Sequence, residues 1–345
     1  MTIPLSFLDL APVSAGQTRK EALDESLRLV QHLEQLGFKR YWMAEHHGSA
    51  TFMSSATSLL LGRAGEHTST IRLGSGGVML PNHTPLMVAE YYGTLATLYP
   101  DRIDLGLGRA PGTDPVTAAE LRRGESHLNS FANDVVKLKT FLAPTRVEAN
   151  PSPSGAEASI LGISATPSRA TVRAIPGEGT EVPLWMLGSS QGGAAVAAEL
   201  GLPFSFASHF APQALVEALR TYRGNFKADA STADIVKPTV MAGVNVVVAD
   251  TDEKARFLAT TGAKLKDQIR FGVSAPLSEP DKELIAEPNS NLDPTAMVGT
   301  PASVTEKMHQ FADMFDIDEL IVTCYTFDPE ERSKAMAALA AEWGL

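Results

Sequence analysis

Tyr41-Trp42-Met43-Ala44-Glu45-His46-His47, Ile71-Arg72-Leu73-Gly74-Ser75-Gly76-Gly77-Val78-Met79-Leu80 and Arg102-Ile103-Asp104-Leu105-Gly106-Leu107-Gly108-Arg109 decide the fold. Each run is short and apolar or small-residue in character, and the second and third each follow a stretch of helical period. Their unusual chemistry gathers at or near the C-terminal ends, as a His pair, a Gly pair and a Gly-Arg pair. In a barrel of alternating strands and helices those ends share one face, and active sites sit there.

Working outward, residues 5–10 read as a first buried strand. Thr18-Arg19-Lys20-Glu21 has capping-box spacing, and the helix it opens carries Leu23, Leu27, Val30, Leu33 and Leu36 before Gly37. Strand 2 at 41–47 is followed by a helix over 54–66 and strand 3 at 71–80. Thr84-Pro85 forms an N-cap and N1 pair for a helix to residue 98, and strand 4 follows at 102–109. A helix is expected over 129–142. Residues 144–183, rich in Pro, Ser, Gly and Ala, read as an excursion with β-prone pieces at 160–163 and 171–175. They are no interdomain linker, because the alternation then resumes without a change of composition.

Further strands are expected at 182–187, 204–208, 239–248 and 319–324. The matching helices lie at 192–200 and 212–226, from Thr300-Pro301 onward, and at 329–343. Asp250-Thr251-Asp252-Glu253 offers a second capping box. Residues 264–294, polar and Pro-dotted, read as a mobile loop over the active face. Eight strands, each followed by a helix, predict a single α/β domain over 1–345, a (β/α)8 TIM barrel.

Composition agrees. A chain of 345 residues with 44% hydrophobic residues can bury a large core. No apolar run approaches the roughly 20 residues of a membrane span, and no secretory signal opens the chain. The one cysteine, Cys324, excludes an internal disulfide framework and fits a reducing, cytoplasmic setting. A net charge of −11 argues against nucleic acid or an anionic membrane as partner.

His46 and His47, adjacent on a strand, should point to opposite faces and so cannot share a metal ion; no metal site is expected. One of them facing the barrel mouth could act as acid or base, or stabilise an anionic ring. The bland alternative is that both histidines simply hold Glu45. Gly76-Gly77 inside an apolar strand is a bulge, a close packing against a neighbouring strand, or a bare surface for a flat ligand. On strand 4, Ile103, Leu105 and Leu107 alternate with Asp104, Gly106 and Gly108. If the aliphatics face the helices, the glycines leave interior space and Arg109 stands at the rim, suited to a phosphate. Gly188-Ser189-Ser190-Gln191-Gly192-Gly193 opens a helix with hydroxyls and free backbone N–H groups, an anion site in form. No Gly-x-Gly-x-x-Gly opens a strand–helix unit in the first half, so a dinucleotide fold is not supported.

Ala44-Glu45-His46-His47, the Gly-Ser-Gly-Gly-Val-Met-Leu-Pro run ending at Pro81 and residues 102–113 together resemble the bacterial luciferase-like flavin-dependent monooxygenases. Pro183-Leu184-Trp185-Met186-Leu187-Gly188-Ser189-Ser190 and Gly299-Thr300-Pro301 extend the resemblance over nearly the whole chain. It is similar to the single-chain, luciferase-like oxidoreductases of that family. The resemblance implies a homodimeric barrel that uses reduced FMN and O2, through a flavin C4a-hydroperoxide, to oxygenate a small organic substrate. A separate flavin reductase would supply the FMN. It also implies His46 as the catalytic or ring-proximal imidazole and a non-proline cis peptide at Gly76-Gly77, in the Ser75-Gly76-Gly77 stretch under the ring. Gly108, Arg109, Gly188, Ser189 and Ser190 complete the implied cofactor set. Gly108 and Gly188 stand where the light-emitting subunit has a cysteine and a carboxylate, which argues against light emission. A deazaflavin-dependent hydride transfer in the same superfamily, or flavin binding without catalysis, are the alternatives.

Overall fold

Strands with one side for helices and one for an interior can close on themselves, and that is what this chain does. The computed structural model describes residues 3–121, 131–144, 172–285 and 295–345. The strands are β1 (Leu5–Asp9), β2 (Arg40–Met43), β3 (Arg72–Met79), β4 (Ile103–Gly108) and β5 (Leu184–Gly188). They continue with β6 (Phe204–Phe206), β7 (Val240–Val248), β8 (Ala296–Gly299) and β9 (Glu319–Thr323). All pairings are parallel. β1 to β7 and β9 close the barrel, β6 pairing with β7 and β9 returning to β1. β8 is a ninth strand beyond the eight expected. It pairs with Asn245–Val248, the C-terminal half of β7, on the edge opposite β9.

The helices are α1 (Arg19–Gln35), α2 (Thr57–Glu66), α3 (Pro85–Leu98), α4 (Pro115–Glu120) and α5 (Phe131–Leu142). Then come α6 (Gln191–Glu199), α7 (Leu215–Asn225), α8 (Asp252–Arg270), α9 (Pro301–Phe315) and α10 (Pro329–Trp343). Thr18 and Glu21 cap α1 reciprocally. Thr84, Thr300 and Asp328 cap α3, α9 and α10. The second capping box does not form. α8 starts on Thr251, whose side chain accepts from the Lys254 amide, so a lysine occupies the position a reciprocating carboxylate needs.

Two further expectations are corrected. Residues 264–270 are the last turns of α8 and not a loop. Their helical period is hidden because the inner face uses Thr260, Thr261 and Leu265 where an aliphatic stripe would be legible. Beyond α8, Leu277 is fully buried and its backbone pairs with Val13 and Ala15, so this part is pinned to the barrel. Residues 286–294 lie outside the described residues. So do 160–163 and 171 of the excursion; 172–175 carry no strand.

Inside the barrel, Leu8, Trp42, Trp185, Met241 and Ile321 form one apolar cluster. Nearer the strands' N-terminal ends, Arg40 bridges Asp104 at 2.6 Å and Glu319 at 2.9 Å, and Arg72 pairs with Asp104 at 2.6 Å. Removing one partner from such a buried network typically costs about 3–5 kcal/mol. This floor stabilises one end of the barrel and leaves the other for chemistry. Among the described residues no helix is long and apolar enough to cross a membrane.

Candidate active site

A cavity of about 1950 Å³ opens at the C-terminal strand ends. Its wall on the β3–β5 side is largely backbone: Gly76, Gly77, Gly108 and Gly188 all line it. The Gly76-Gly77 peptide is cis, as the resemblance implies. Gly106 departs from expectation and leaves no ligand space. A Cβ there would stand 2.2 Å from the Ser75 carbonyl oxygen and 2.6 Å from Leu187 Cδ1, so its bareness serves strand packing. Ser75 is fully buried, its Oγ donating to the Gly106 carbonyl at 2.9 Å, and it is not among the cavity walls.

Arg109, Ser189 and Ser190 meet where β4 and β5 end. A Cβ on Gly192, in the first turn of α6, would come 3.2 Å from Arg109 Nη2 and 3.8 Å from Ser190 Oγ. Ser190 is the N-cap of α6 but its side chain makes no capping hydrogen bond. A cation, hydroxyls and the first-turn amides of a helix thus converge on a spot that a side chain at position 192 would crowd. Groups of this kind are the ones that can hold an anion at a helix N-terminus.

β2 ends at Met43, sooner than expected, so the two histidines are not placed by strand alternation. Glu45 turns inward and organises them. Its carboxylate accepts from His47 Nε2 at 2.7 Å, from His83 Nε2 at 3.0 Å and from the Met79 amide at 3.2 Å. Burial alone would raise its pKa, but the hydrogen bonds from His47 and His83 outweigh burial and hold it at about 2. Asn82 Nδ2 donates to the Pro111 carbonyl, and the His47 amide to that of Gly112, so the loops after β2, β3 and β4 are laced together. His83 and Asn82 escaped the sequence reading; their one signal is their place just past a strand's C-terminal end. Glu45, His47 and His83 bring three donor atoms within 4.8 Å of one another, a spacing a metal ion could use. As they stand, these contacts are nitrogen-to-oxygen hydrogen bonds.

His46 faces the cavity with its ring 5.2 Å from that of Phe52. Desolvation first, and then the neighbouring His47, lower its pKa from the usual 6.5. A neutral imidazole in a half-buried site is fitted to accept a proton. Of the two histidines, His47 is the one that fastens Glu45, while His46 lines the cavity. Phe52 and His209 also line the cavity and were not foreseen. Cys324 is buried outside the cavity wall, and burial pushes its thiol up to about 11.

The family described as luciferase-like monooxygenase matches residues 3–316. A luciferase-like monooxygenase of Escherichia coli (strain K12) is 40% identical over 339 residues, which cover 96% of this chain and 94% of the relative. The crystal structure of apo-MsnO8 superposes with a TM-score of 0.81 at 31% identity, covering 99% of both chains. The oxygenating constituent of 3,6-diketocamphane monooxygenase from Pseudomonas putida, solved with FMN, gives 0.70 at 16% identity and shares the fold. It covers 99% of this chain and 97% of its own. With the barrel, the cis Gly76-Gly77 peptide and the cavity already established, these matches mean that the chain belongs to the luciferase-like monooxygenase family.

Proposed function

We propose that this protein is an FMN-dependent monooxygenase acting on a small organic substrate, with reduced FMN supplied by a separate flavin reductase. The observation that carries the reading is the cradle of Arg109, Ser189, Ser190 and the α6 N-terminus beside a wall of bare glycine backbone. A flavin mononucleotide has the two features that wall and cradle would take, a flat ring and a terminal phosphate. The fold is known in a Pseudomonas putida monooxygenase complexed with FMN.

In this reading Arg109 and the two serines hold the phosphate, and Gly76, Gly77, Gly108 and Gly188 admit the ring against backbone. Ser75 acts as a positioning residue that fastens β3 to β4 through Gly106. Reduced FMN supplies the electrons with which O2 is activated. His46 accepts or returns a proton at its ring nitrogens next to the reacting centre. The apolar cavity wall excludes water. Leu59 on α2 and Leu98 on α3 are 76% and 61% exposed, and with Met87 and Tyr91 they offer an apolar face for a homodimer.

Anaerobic titration with reduced FMN, followed by admission of O2, tests the reading. Saturable binding with O2 consumption is expected. Binding of a deazaflavin in preference to FMN, without O2 uptake, would replace it with hydride transfer.

A further inference from the structure

Two loops meet at the Glu45 carboxylate, and each brings an imidazole to the same oxygen. His47 Nε2 lies 2.7 Å and His83 Nε2 3.0 Å from Glu45 Oε1. One donor atom from each of the three residues lies within 4.8 Å of the other two. Around a tetrahedral Zn2+, bonds of about 2.0–2.1 Å set neighbouring ligand atoms about 3.3 Å apart. The two nitrogen–oxygen pairs therefore need to part by only about 0.3–0.6 Å to admit an ion. The adjacent His46 and His47 are not the pair that shares it. His83, from the loop after β3, is the second imidazole.

Backbone contacts hold all three donors in place. The His47 amide donates to the Gly112 carbonyl at 3.0 Å, and the His47 carbonyl accepts from Thr113 Oγ1 at 2.8 Å. His83 stands between Pro81 and Pro85, and its amide donates to the Leu80 carbonyl at 2.9 Å. The Met79 amide donates to Glu45 Oε2 at 3.2 Å and so orients the carboxylate, as outer contacts do in metal sites. Glu45 is buried, whereas His47 and His83 are half-buried. His47 also lines the cavity, which gives an ion and a water ligand their way in.

We infer that Glu45, His47 and His83 form a binding site for a divalent transition metal of the Zn2+ class, with water completing the coordination. Two imidazoles and one carboxylate are a donor set that Zn2+ accepts. Mg2+ and Ca2+ need six or more ligands, almost all of them oxygen, and one carboxylate does not supply these. The ion replaces the protons that His47 and His83 now share with Glu45, and it clasps the loop after β2 to the loop after β3. No residue of the Arg109 cradle takes part, so the site stands apart from the flavin reading.

The experiment uses the whole chain after treatment with a chelator, and Co2+ as the probe, because its visible absorption intensifies in tetrahedral coordination. The band should saturate at one equivalent, disappear on addition of Zn2+ and survive Mg2+ and Ca2+. Zn2+ should also raise Tm. His83→Ala and His47→Gln should each weaken Co2+ at least about a hundredfold, the upper end of what loss of an outer partner costs, and abolish the rise in Tm. Circular dichroism establishes that each variant is folded, and His47→Gln decides the matter should His83→Ala not fold. His67→Ala, which removes an exposed imidazole elsewhere, should change nothing. No band up to millimolar Co2+, a band that persists in both variants, or one lost with His67→Ala overturns the inference. Failure of FMN to bind would remove the flavin reading and leave the metal site standing.

Discussion

Arg109 Nη2 lies 3.2 Å from the position that a Cβ would occupy on Gly192. The guanidinium and the first turn of α6 therefore enclose one spot, although the two residues are far apart in sequence. Charge-assisted hydrogen bonds of this kind contribute about 1.5–3 kcal/mol each. Arg109→Ala should weaken FMN roughly ten- to hundredfold, and Gly192→Val should crowd the same spot. Riboflavin, which has no phosphate, is the control: its affinity should not change. Equal losses for FMN and riboflavin would place the phosphate elsewhere.

His46→Ala is expected to reduce turnover by about 10²- to 10⁴-fold, the usual range for a proton-transferring side chain, with FMN affinity preserved. Its pKa is lowered by desolvation and by His47, so the neutral, proton-accepting form persists below pH 6.5. Activity of the native protein should fall only at more acidic pH than an ordinary histidine would give. A rate unchanged in the variant across pH 5–8 would remove His46 from the chemistry.

Glu45 is 2% exposed and its pKa of about 2 is far below the ordinary 4.5. A carboxylate depressed in the folded state contributes stability in full above its unfolded pKa and loses it as pH falls toward the folded one. Glu45→Gln should therefore destabilise the protein at neutral pH by about 1–3 kcal/mol, the cost of imperfectly satisfied buried groups. The difference between variant and native protein should shrink between pH 4.5 and 2. Urea unfolding at a series of pH values measures it, and a constant difference would contradict the assignment.

Gly106→Ala directs a methyl group at the Ser75 carbonyl oxygen, 2.2 Å away, where backbone must move. Overpacking at a site without flexible neighbours costs about 1–3 kcal/mol or more. A lower Tm is expected together with weaker FMN binding, because β3 carries the Gly76-Gly77 wall.

Leu59→Glu combined with Leu98→Glu places charge on the exposed apolar face of α2 and α3. Sedimentation should show a dimer for the native chain and a monomer for the variant. A native monomer would mean that this face has another occupant.

Much of the barrel was legible because its signals are local. Strand runs, the Thr18 and Thr300 caps and the closing helix all depend on residues close together in sequence. Local patterning failed where a segment's inner face is not aliphatic, as with the threonines of α8, and where one strand serves another, as with Gly106 and Ser75. His46 could be singled out as a histidine at a strand's end, yet nothing in Glu45-His46-His47 says which ring is spent on the carboxylate. His83, almost forty residues on, decides that with Asn82 and the Met79 amide.

The sequence alone determined the alternating strand–helix order, the glycine-rich strand ends and the residue types available at the barrel mouth, since periodicity and capping act over a few residues. The tertiary structure alone decided which of those groups face one another. It put Arg109 against the α6 N-terminus and bound His47, rather than His46, to Glu45. Those are through-space relations set by closure of the barrel, and closure brings together residues that no local pattern connects.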